Sequence, residues 1–325
     1  MNILSILPGT AGDPARHGLR RALALLAAAL ALVVTGLGGC GGGVGSGGTG
    51  TYASGSITGF GSIIVNDVRY DDSAASVVDD DDGARSNAEL KLGMTVEIDA
   101  GPIGSDSTGR RSTATRIRFG SELLGPASAI DATAGRLVVL GQTVVVSAET
   151  VFDDSLASGL ASLREGAPVE VYGLYDAATA QLRATRIEPR SSAVAWRARG
   201  TVAALDLVSR TLRIGTAVFA WGTGVTLPAD LAVGRVVRLQ LATSTDLSGR
   251  YVVLGFATAL RPPPDRPEAE LRGLVTAFTS RSAFSVNGIA VDASAASFPD
   301  GTAGLQLGAR VEVRGRSEAG GIVAT

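Results

Sequence analysis

A set of short motifs recurs four times along the sequence, at intervals of roughly 70 residues. Each copy opens with a glycine and alternating apolar residues, and about ten residues later it has two short strand-like runs joined by a tight turn. The opening glycines are Gly55, Gly125, Gly200 and Gly273. Because this repeat is longer than those of common solenoids, we expect each copy to fold as a small domain.

The tight turn is clearest in the fourth copy, where Asn287-Gly288 separates two apolar runs. Asn-Gly at this place is a strong hairpin signal, because a type I′ turn needs positive φ at both central residues. The first three copies have Asn66-Asp67, Leu140-Gly141 and Ile214-Gly215 at the equivalent place.

Further along, each copy has a Leu-x-x-Gly motif that leads into a strand-like run, and then a closing run that resembles Ala-Thr-x-Ile. The Leu-x-x-Gly motifs end at Gly93, Gly166, Gly234 and Gly308. The closing runs begin at Ala114 and Ala184, more loosely at Ala257, and in the fourth copy the run stops at Ala324-Thr325.

Five short strands per copy, with turns at glycine and no long helical period, predict an all-β fold. The nearest common architecture of this size is the small, OB-like β-barrel, so we expect about four such modules in tandem behind a signal peptide and a Gly-rich tether. Ranges 55–120, 121–190, 195–260 and 271–325 are the predicted modules. A Pro-rich linker is predicted at 261–270, and the early stop of the fourth copy leaves a truncated module as one interpretation.

These motifs resemble the uncharacterised bacterial family called domain of unknown function 5666. The resemblance rests on the opening Gly-x-Ile/Val, the Val-Asn-Gly/Asp turn, Leu-x-x-Gly before Val-x-Val, and Ala-Thr-x-Ile. It is clearest in the first and fourth copies and weakest in the third. It implies tandem β modules in envelope proteins, often lipoproteins, and it implies no catalytic residues.

The amino terminus has the pattern of an export signal. A basic segment with Arg20 and Arg21 precedes an uncharged apolar run from Leu23 to Val34, which is short for a membrane-spanning helix. Leu37-Gly38-Gly39-Cys40 resembles the lipobox of bacterial lipoprotein precursors, with Cys40 as the lipidated residue. We therefore predict a signal peptide at 1–39 and a lipidated cysteine with a flexible tether at 40–54. By the same resemblance, Gly41 after the cysteine indicates the outer membrane, with lipid on Cys40 as the membrane contact.

The composition argues against several kinds of chemistry. The only histidine is His17 and the only cysteine is Cys40, so a chain cut before Cys40 has no histidine-based nucleophile, zinc site or disulfide. The formal net charge is −2 and no basic patch is visible, so we expect no nucleic-acid partner.

The most acidic segment is Asp79-Asp80-Asp81-Asp82-Gly83. Aligning its glycine with that of an EF-hand loop puts Asp80, Asp82 and Glu89 at ligand positions, but Val78 stands where the first aspartate belongs. The pattern favours a solvated loop between strands, with a weak calcium site at Asp80, Asp82 and Glu89 as the alternative. No other cofactor is expected.

Other side chains are assigned ordinary structural roles. Trp196, Trp221, Tyr172 and Tyr175 are sparse and do not recur, which favours packing over a stacking surface. The arginines of the closing strands are expected on the solvent face: Arg116, Arg118, Arg183 and Arg186. Asp153, Asp154 and Glu165 offer carboxylates for a glycosidase, but no spacing fixes them as a catalytic pair.

The sequence predicts a non-catalytic cell-envelope lipoprotein, in which the modules serve as a scaffold, a spacer or a contact for another envelope protein. One alternative is a module that binds an envelope glycan or another small ligand, at residues that the sequence does not identify. The other is a hydrolase that uses carboxylates alone.

Overall fold

The computed structural model describes residues 49–258 and 260–325. Cys40 and its lipobox, with the predicted signal peptide, lie outside these residues. The described chain is built from strands and two 3-10 helices, Asn87–Glu89 and Gly159–Ser162, in agreement with the all-β prediction. None of the helices within the described residues is long and apolar enough to cross a membrane.

The first module has eight strands, of which five form the barrel and three are short additions. Its strands are β1 (Thr51–Ser56), β2 (Ile63–Val65), β3 (Val68–Asp71), β4 (Ser76–Asp79), β5 (Ala84–Arg85), β6 (Thr95–Ala100), β7 (Gly104–Asp106) and β8 (Gly109–Phe119). Tyr52 and Ala53 are buried, so the barrel begins inside the segment predicted as tether.

The second and third modules have six strands each. Those of the second are β9 (Leu123–Asp131), β10 (Arg136–Val139), β11 (Gln142–Val145), β12 (Val151–Phe152), β13 (Pro168–Asp176) and β14 (Gln181–Pro189). Those of the third are β15 (Trp196–Thr201), β16 (Ala204–Asp206), β17 (Thr211–Ile214), β18 (Ala217–Trp221), β19 (Val236–Thr245) and β20 (Tyr251–Ala257).

The fourth module shows the barrel in its simplest form. Its strands are β21 (Arg266–Ser280), β22 (Ala283–Val286), β23 (Ile289–Asp292), β24 (Arg310–Glu318) and β25 (Gly321–Ala324). The order β21-β22-β23-β25-β24 closes on β21, with β23 and β25 parallel and every other neighbour antiparallel. All five barrel strands are therefore formed in this module, and β21 begins at Arg266, within the predicted Pro-rich linker.

The other three modules share this order, with the third strand of each barrel parallel to its last strand. A five-stranded barrel of this kind is the OB-like architecture that the sequence predicted. In the third module β16 continues β15 and pairs with β17, which closes the barrel there.

The recurring glycines each have a structural cause. An ideal Cβ on Gly273 would lie 2.1 Å from the side chain of Asn287 in the hairpin turn, and Gly55 stands in the same relation to Asn66 at 2.3 Å. The glycines of the four Leu-x-x-Gly motifs have φ between 79° and 87°. Their N–H groups donate to carbonyls in the strand that opens the module or just after it, in the pairs Gly93–Ile57, Gly166–Ala127, Gly234–Val202 and Gly308–Val275.

The modules pack in pairs rather than as four independent domains. β1 of the first pairs in parallel with β21 of the fourth, and β9 of the second pairs antiparallel with β15 of the third. The result is two sheets, of 13 and 12 strands. The second and third modules share one apolar core. Tyr172 of the second module is buried in the core of the first, which joins the two pairs.

Candidate functional site

The acidic segment Asp79–Asp82 begins at the last residue of β4 and forms a tight loop. The carboxylate of Asp79 accepts hydrogen bonds from the backbone N–H of Asp81 and Gly83, at 2.9 and 2.8 Å, and from Arg85. Asp79 therefore fixes the shape of the loop, and the next three carboxylates project from it.

These three carboxylates bind arginines of two modules and the linker. Asp80 Oδ2 lies 3.0 Å from both Arg199 and Arg238 of the third module, and Arg238 also contacts Asp81. Asp82 is held by three further guanidinium groups, at 2.6 to 2.8 Å: Arg116, Arg118 and Arg261. We call the loop and these five arginines the acidic clamp.

The structure does not bring the three predicted calcium ligands together on one ion position. Asp80 and Asp82 bind different arginines, whereas Glu89 accepts from the backbone N–H of Ser86 at 2.9 Å and so caps a 3-10 helix. Within the described residues there is no group of three or more acidic, histidine or cysteine side chains arranged for a metal. The weak calcium site stays a prediction, with guanidinium groups as its competitors.

The expectation that the closing-strand arginines face solvent is wrong for Arg186 and Arg118. Arg186 is 5% exposed and bonds Glu188 at 2.6 Å, Asp153 at 3.4 Å and the carbonyl of Leu92 in the first module at 3.1 Å. The alternation of side chains along a strand shows which residues share a face, but not whether that face is exposed. Here the first module covers the outer face of the second at Arg186. Arg183 does stay largely open and pairs with the buried Asp176.

A cavity of about 940 Å³ lies at the centre of the four modules, beside the acidic clamp. All four modules contribute to its wall, and the segment after β20 adds Leu260 and Arg261. Its size falls in the range of small-molecule sites, which commonly form between domains.

Charged side chains of both signs line this cavity in equal numbers. The four carboxylates are Asp80, Glu97, Glu122 and Asp230, and the four guanidinium groups are Arg118, Arg199, Arg235 and Arg261. They pair with one another: Glu122 with Arg199 at 2.9 Å, and Glu97 with Arg118 at 3.4 Å. The charges of the wall therefore balance, and most of the surface that lines the cavity is apolar.

Burial changes the proton affinity of two of these carboxylates. It raises the pKa of Glu97 above its usual value, although the Arg118 guanidinium opposes the change. Burial likewise raises the pKa of Glu122, against the effect of Arg199. Both of these carboxylates line the same cavity.

Three residues of the cavity wall also have a buried hydrogen-bond donor without a protein acceptor. Gln142 is 8% exposed, and its Nε2 has no hydrogen-bond partner. The Nε atoms of Arg118 and Arg199 are likewise buried without a partner. Buried polar groups are normally satisfied, so each of these donors calls for an acceptor.

Sequence reasoning missed Gln142, although the repeats contain the signal. Gln142 is the first residue after its hairpin turn, and the same position holds Val68, Ala217 and Ile289 in the other modules. One polar residue at a site that is apolar in the other three modules marks the second module as different.

The tryptophans do not form an exposed stacking surface. Trp221 is 7% exposed and belongs to the core shared by the second and third modules. Trp196 packs against that core and donates from Nε1 to the carbonyl of Thr243 at 3.2 Å. Tyr175, by contrast, is half-buried and lines the central cavity.

The carboxylates that the sequence offers for a glycosidase lie in separate environments. Asp153 bonds Ser155, Arg186 and Lys91, whereas Glu165 accepts from the backbone N–H groups of Ala129 and Ile130. Each is committed to a structural partner, and neither lines the cavity.

Comparison with known proteins identifies the repeats. A family model described as "Domain of unknown function (DUF5666)" matches residues 54–118, 125–188 and 272–325, which lie in the first, second and fourth modules. No curated protein matches the chain. A crystal structure of a multidomain protein with nucleic acid binding domains from Streptococcus pneumoniae TIGR4 is similar at 12% identity and a TM-score of 0.16, over 66% of this chain and 74% of that one.

Proposed function

Because this chain belongs to the DUF5666 family of domains of unknown function, we propose its role from its own architecture: a non-catalytic envelope lipoprotein whose modules form a rigid scaffold for a protein partner. The observation that carries the proposal is the pairing of modules through shared sheets. Since the described modules form one compact unit, they can hold a partner at a fixed orientation, which independent domains on linkers cannot.

Buried ion pairs between modules support the same role. Glu270 of the fourth module is 3% exposed and pairs with Arg110 of the first. Glu170 of the second module is 2% exposed and pairs with Arg197 of the third at 2.8 Å. Arg314 also contacts Glu270, and Arg190 also contacts Glu170, each within its own module. The pairs between modules therefore add partners to buried carboxylates and favour one orientation of the modules.

The envelope location rests on the sequence. Leu37-Gly38-Gly39-Cys40 follows an export-type apolar segment, and Gly41 favours the outer membrane. Lipid on Cys40 would anchor the modules through the glycine-rich segment before β1. Labelled palmitate should enter the wild type and not Cys40→Ser, and equal labelling of both would refute the anchor.

A crosslinking pull-down from intact cells tests the scaffold role. The bait is the lipidated full chain, and the control lacks residues 55–325. We expect the modules to retain one reproducible envelope protein that the control does not. Recovery of the same proteins by both baits would contradict the proposal.

The central cavity favours a second candidate, a site for an envelope glycan or another small ligand. Its volume and its position between modules are features of such a site. The carboxylate-only hydrolase has a single supporting observation, the raised pKa of Glu97 and of Glu122 in one cavity. Release of reducing sugar from a cavity ligand, lost in Glu122→Gln, would favour that alternative.

A further inference from the structure

The turn after the opening strand has the same frame in the second and third modules. It has four residues in each, 132–135 between β9 and β10 and 207–210 between β16 and β17. The aspartate before the turn, Asp131 or Asp206, accepts hydrogen bonds from backbone N–H groups inside it. The last turn residue has positive φ in both modules. The second module therefore shows which residues this turn needs.

The side chains on this frame differ. The second module has Ala132-Thr133-Ala134-Gly135, and the third has Leu207-Val208-Ser209-Arg210. Leu207 is 61% exposed and Val208 is 94% exposed. Arg210 has a φ of 52°, a conformation that glycine adopts without steric cost. Since the turn forms with alanine, threonine and glycine, its shape requires neither the exposed apolar pair nor the arginine.

A third exposed apolar side chain lies at the same end of the barrel. The N–H of Trp221 donates to the carbonyl of Arg210 at 3.1 Å, and Trp221 pairs with Val253 of β20. The next residue, Leu254, is exposed. The turn and Leu254 together form an apolar tip on the third module, which is the module that the family model does not match.

The hairpin that carries the tip also has two arginines free of carboxylates. The other arginines of the module each pair with an acidic side chain: Arg197, Arg199, Arg235, Arg238 and Arg250. Among the described residues, Arg210 and Arg213 have no such partner, and both are exposed. Asp206 faces the N–H groups of Val208 and Ser209 instead. The tip therefore combines apolar side chains with uncompensated positive charge.

We propose that this tip docks on an anionic phospholipid bilayer. Leu207 and Val208 enter the boundary between head groups and acyl chains, and Arg210 lies beside the phosphates. The inference rests on the lipid anchor of the proposed function and adds a second membrane contact to it. A second contact would hold the rigid modules in one orientation on the membrane.

The tether favours a bilayer as the occupant. The chain from Cys40 to Thr51 has an r.m.s. span of about 18 Å, and a compact unit of the described length has a radius of gyration of about 19 Å. The surface of the modules therefore stays within reach of the head groups. Three aliphatic side chains are too few for the roughly 800 Å² that a stable protein interface buries on each partner. A bilayer needs no complementary surface.

A fluorescent label beside the tip tests the contact. Cys40 is the only cysteine of the chain, and its thiol would carry the lipid, so an added cysteine is the only free thiol. Lipidated full chains with Ser209→Cys or Ala134→Cys are labelled with nitrobenzoxadiazole and reconstituted in vesicles of phosphatidylethanolamine and phosphatidylglycerol. Both positions are exposed, and Ala134 is the matched control. We expect nitroxide on the acyl chains, near the head groups, to quench the label at 209 several-fold more than that at 134.

Variants that carry the residues of the second module test the cause. Leu207→Ala/Val208→Thr should reduce the quenching at 209 to the level at 134. Arg210→Gly should weaken it in the anionic vesicles and leave it unchanged in phosphatidylcholine. All should keep the wild-type melting temperature, because the second module forms the same turn with these residues. If the double variant fails to fold, Arg210→Gly and the two labels decide.

Equal quenching at 209 and 134 would overturn the proposal, as would quenching at 209 that both variants leave unchanged. Shielding of the label at 209 that rises with the protein-to-lipid ratio, without quenching from the acyl chains, would identify a second copy as the occupant and also overturn it. A chain that takes up no palmitate would refute the anchor and this proposal together. A lipidated chain with equal quenching would refute the tip contact alone.

Discussion

Asp80 in the first module and Arg199 in the third are in contact at 3.0 Å, across 119 residues of sequence. Arg199 also binds Glu122 at 2.9 Å, in the segment that joins the first two modules. Arg199 of the third module is therefore held both by the acidic loop of the first module and by the segment that leads into the second.

Asp80→Ala should lower the free energy of unfolding by about 3 kcal/mol, because it leaves Arg199 and Arg238 without a carboxylate that both contact. Arg238 is 3% exposed, so water cannot fully replace the lost partner. Chemical denaturation would measure the change. Asp154→Ala, at an exposed carboxylate of the second module, is the control and should change stability little. Similar losses in the two variants would show that the clamp has no special role.

The glycine that opens each repeat gives a second prediction. Gly273→Ala should lower the free energy of unfolding by about 2 kcal/mol, because its Cβ would overlap Asn287, whose side chain is held by the backbone of Arg272 and Leu274. Gly304→Ala, in the same module, has no atom near its Cβ and no positive φ, and it serves as the control. Thermal melts of both variants decide the matter, and an equal melting temperature would contradict this explanation of the repeat.

Five strands per module and an OB-like barrel could be predicted because the repeat marks each turn. Asn287-Gly288 gives the hairpin, and the glycines of the Leu-x-x-Gly motifs adopt the positive φ that a close turn requires. These signals are local, so a single sequence contains them.

The contacts between modules could not be predicted in the same way. Tyr172 looks like any strand aromatic, and nothing beside it in sequence indicates that it enters the core of the first module. Alternation along the strand predicts a solvent-facing Arg186, because the pattern contains no sign that a second barrel covers that face. The cavity lies between the modules and so depends on these same contacts. Within the sequence, the cavity wall could be noticed only at Gln142, a polar residue where the other modules have apolar ones.

The acidic clamp also predicts how the loop responds to calcium. Calorimetric titration with millimolar calcium should give the same heats for the wild type and for the Asp80→Ala/Asp82→Ala variant. The reason is that guanidinium groups already hold these carboxylates. A saturable heat that disappears in the double variant would instead establish the calcium site. Titration with magnesium at the same ionic strength controls for general screening.

The pH dependence of stability should have two parts of opposite sign. The pKa values of Glu97 and Glu122 are raised by burial, so folding favours their protonated forms. Their contribution to stability is complete below the unfolded glutamate value, 4.5, and is lost as the pH rises through the raised values. Stability should therefore increase as the pH falls from 7 towards 4.5.

Below that range the sign reverses. Hydrogen bonding to Arg118 lowers the pKa of Asp82 below its usual 3.8, so the contribution of Asp82 is present above 3.8 and lost as the pH falls through the lowered value. Denaturant titrations from pH 7 to pH 3 should thus pass through a maximum. The Glu97→Gln/Glu122→Gln variant should lose the rise on the neutral side and keep the acid fall. A wild type whose stability decreases steadily from pH 7 would show that the two glutamates ionise in the folded protein as they do in water.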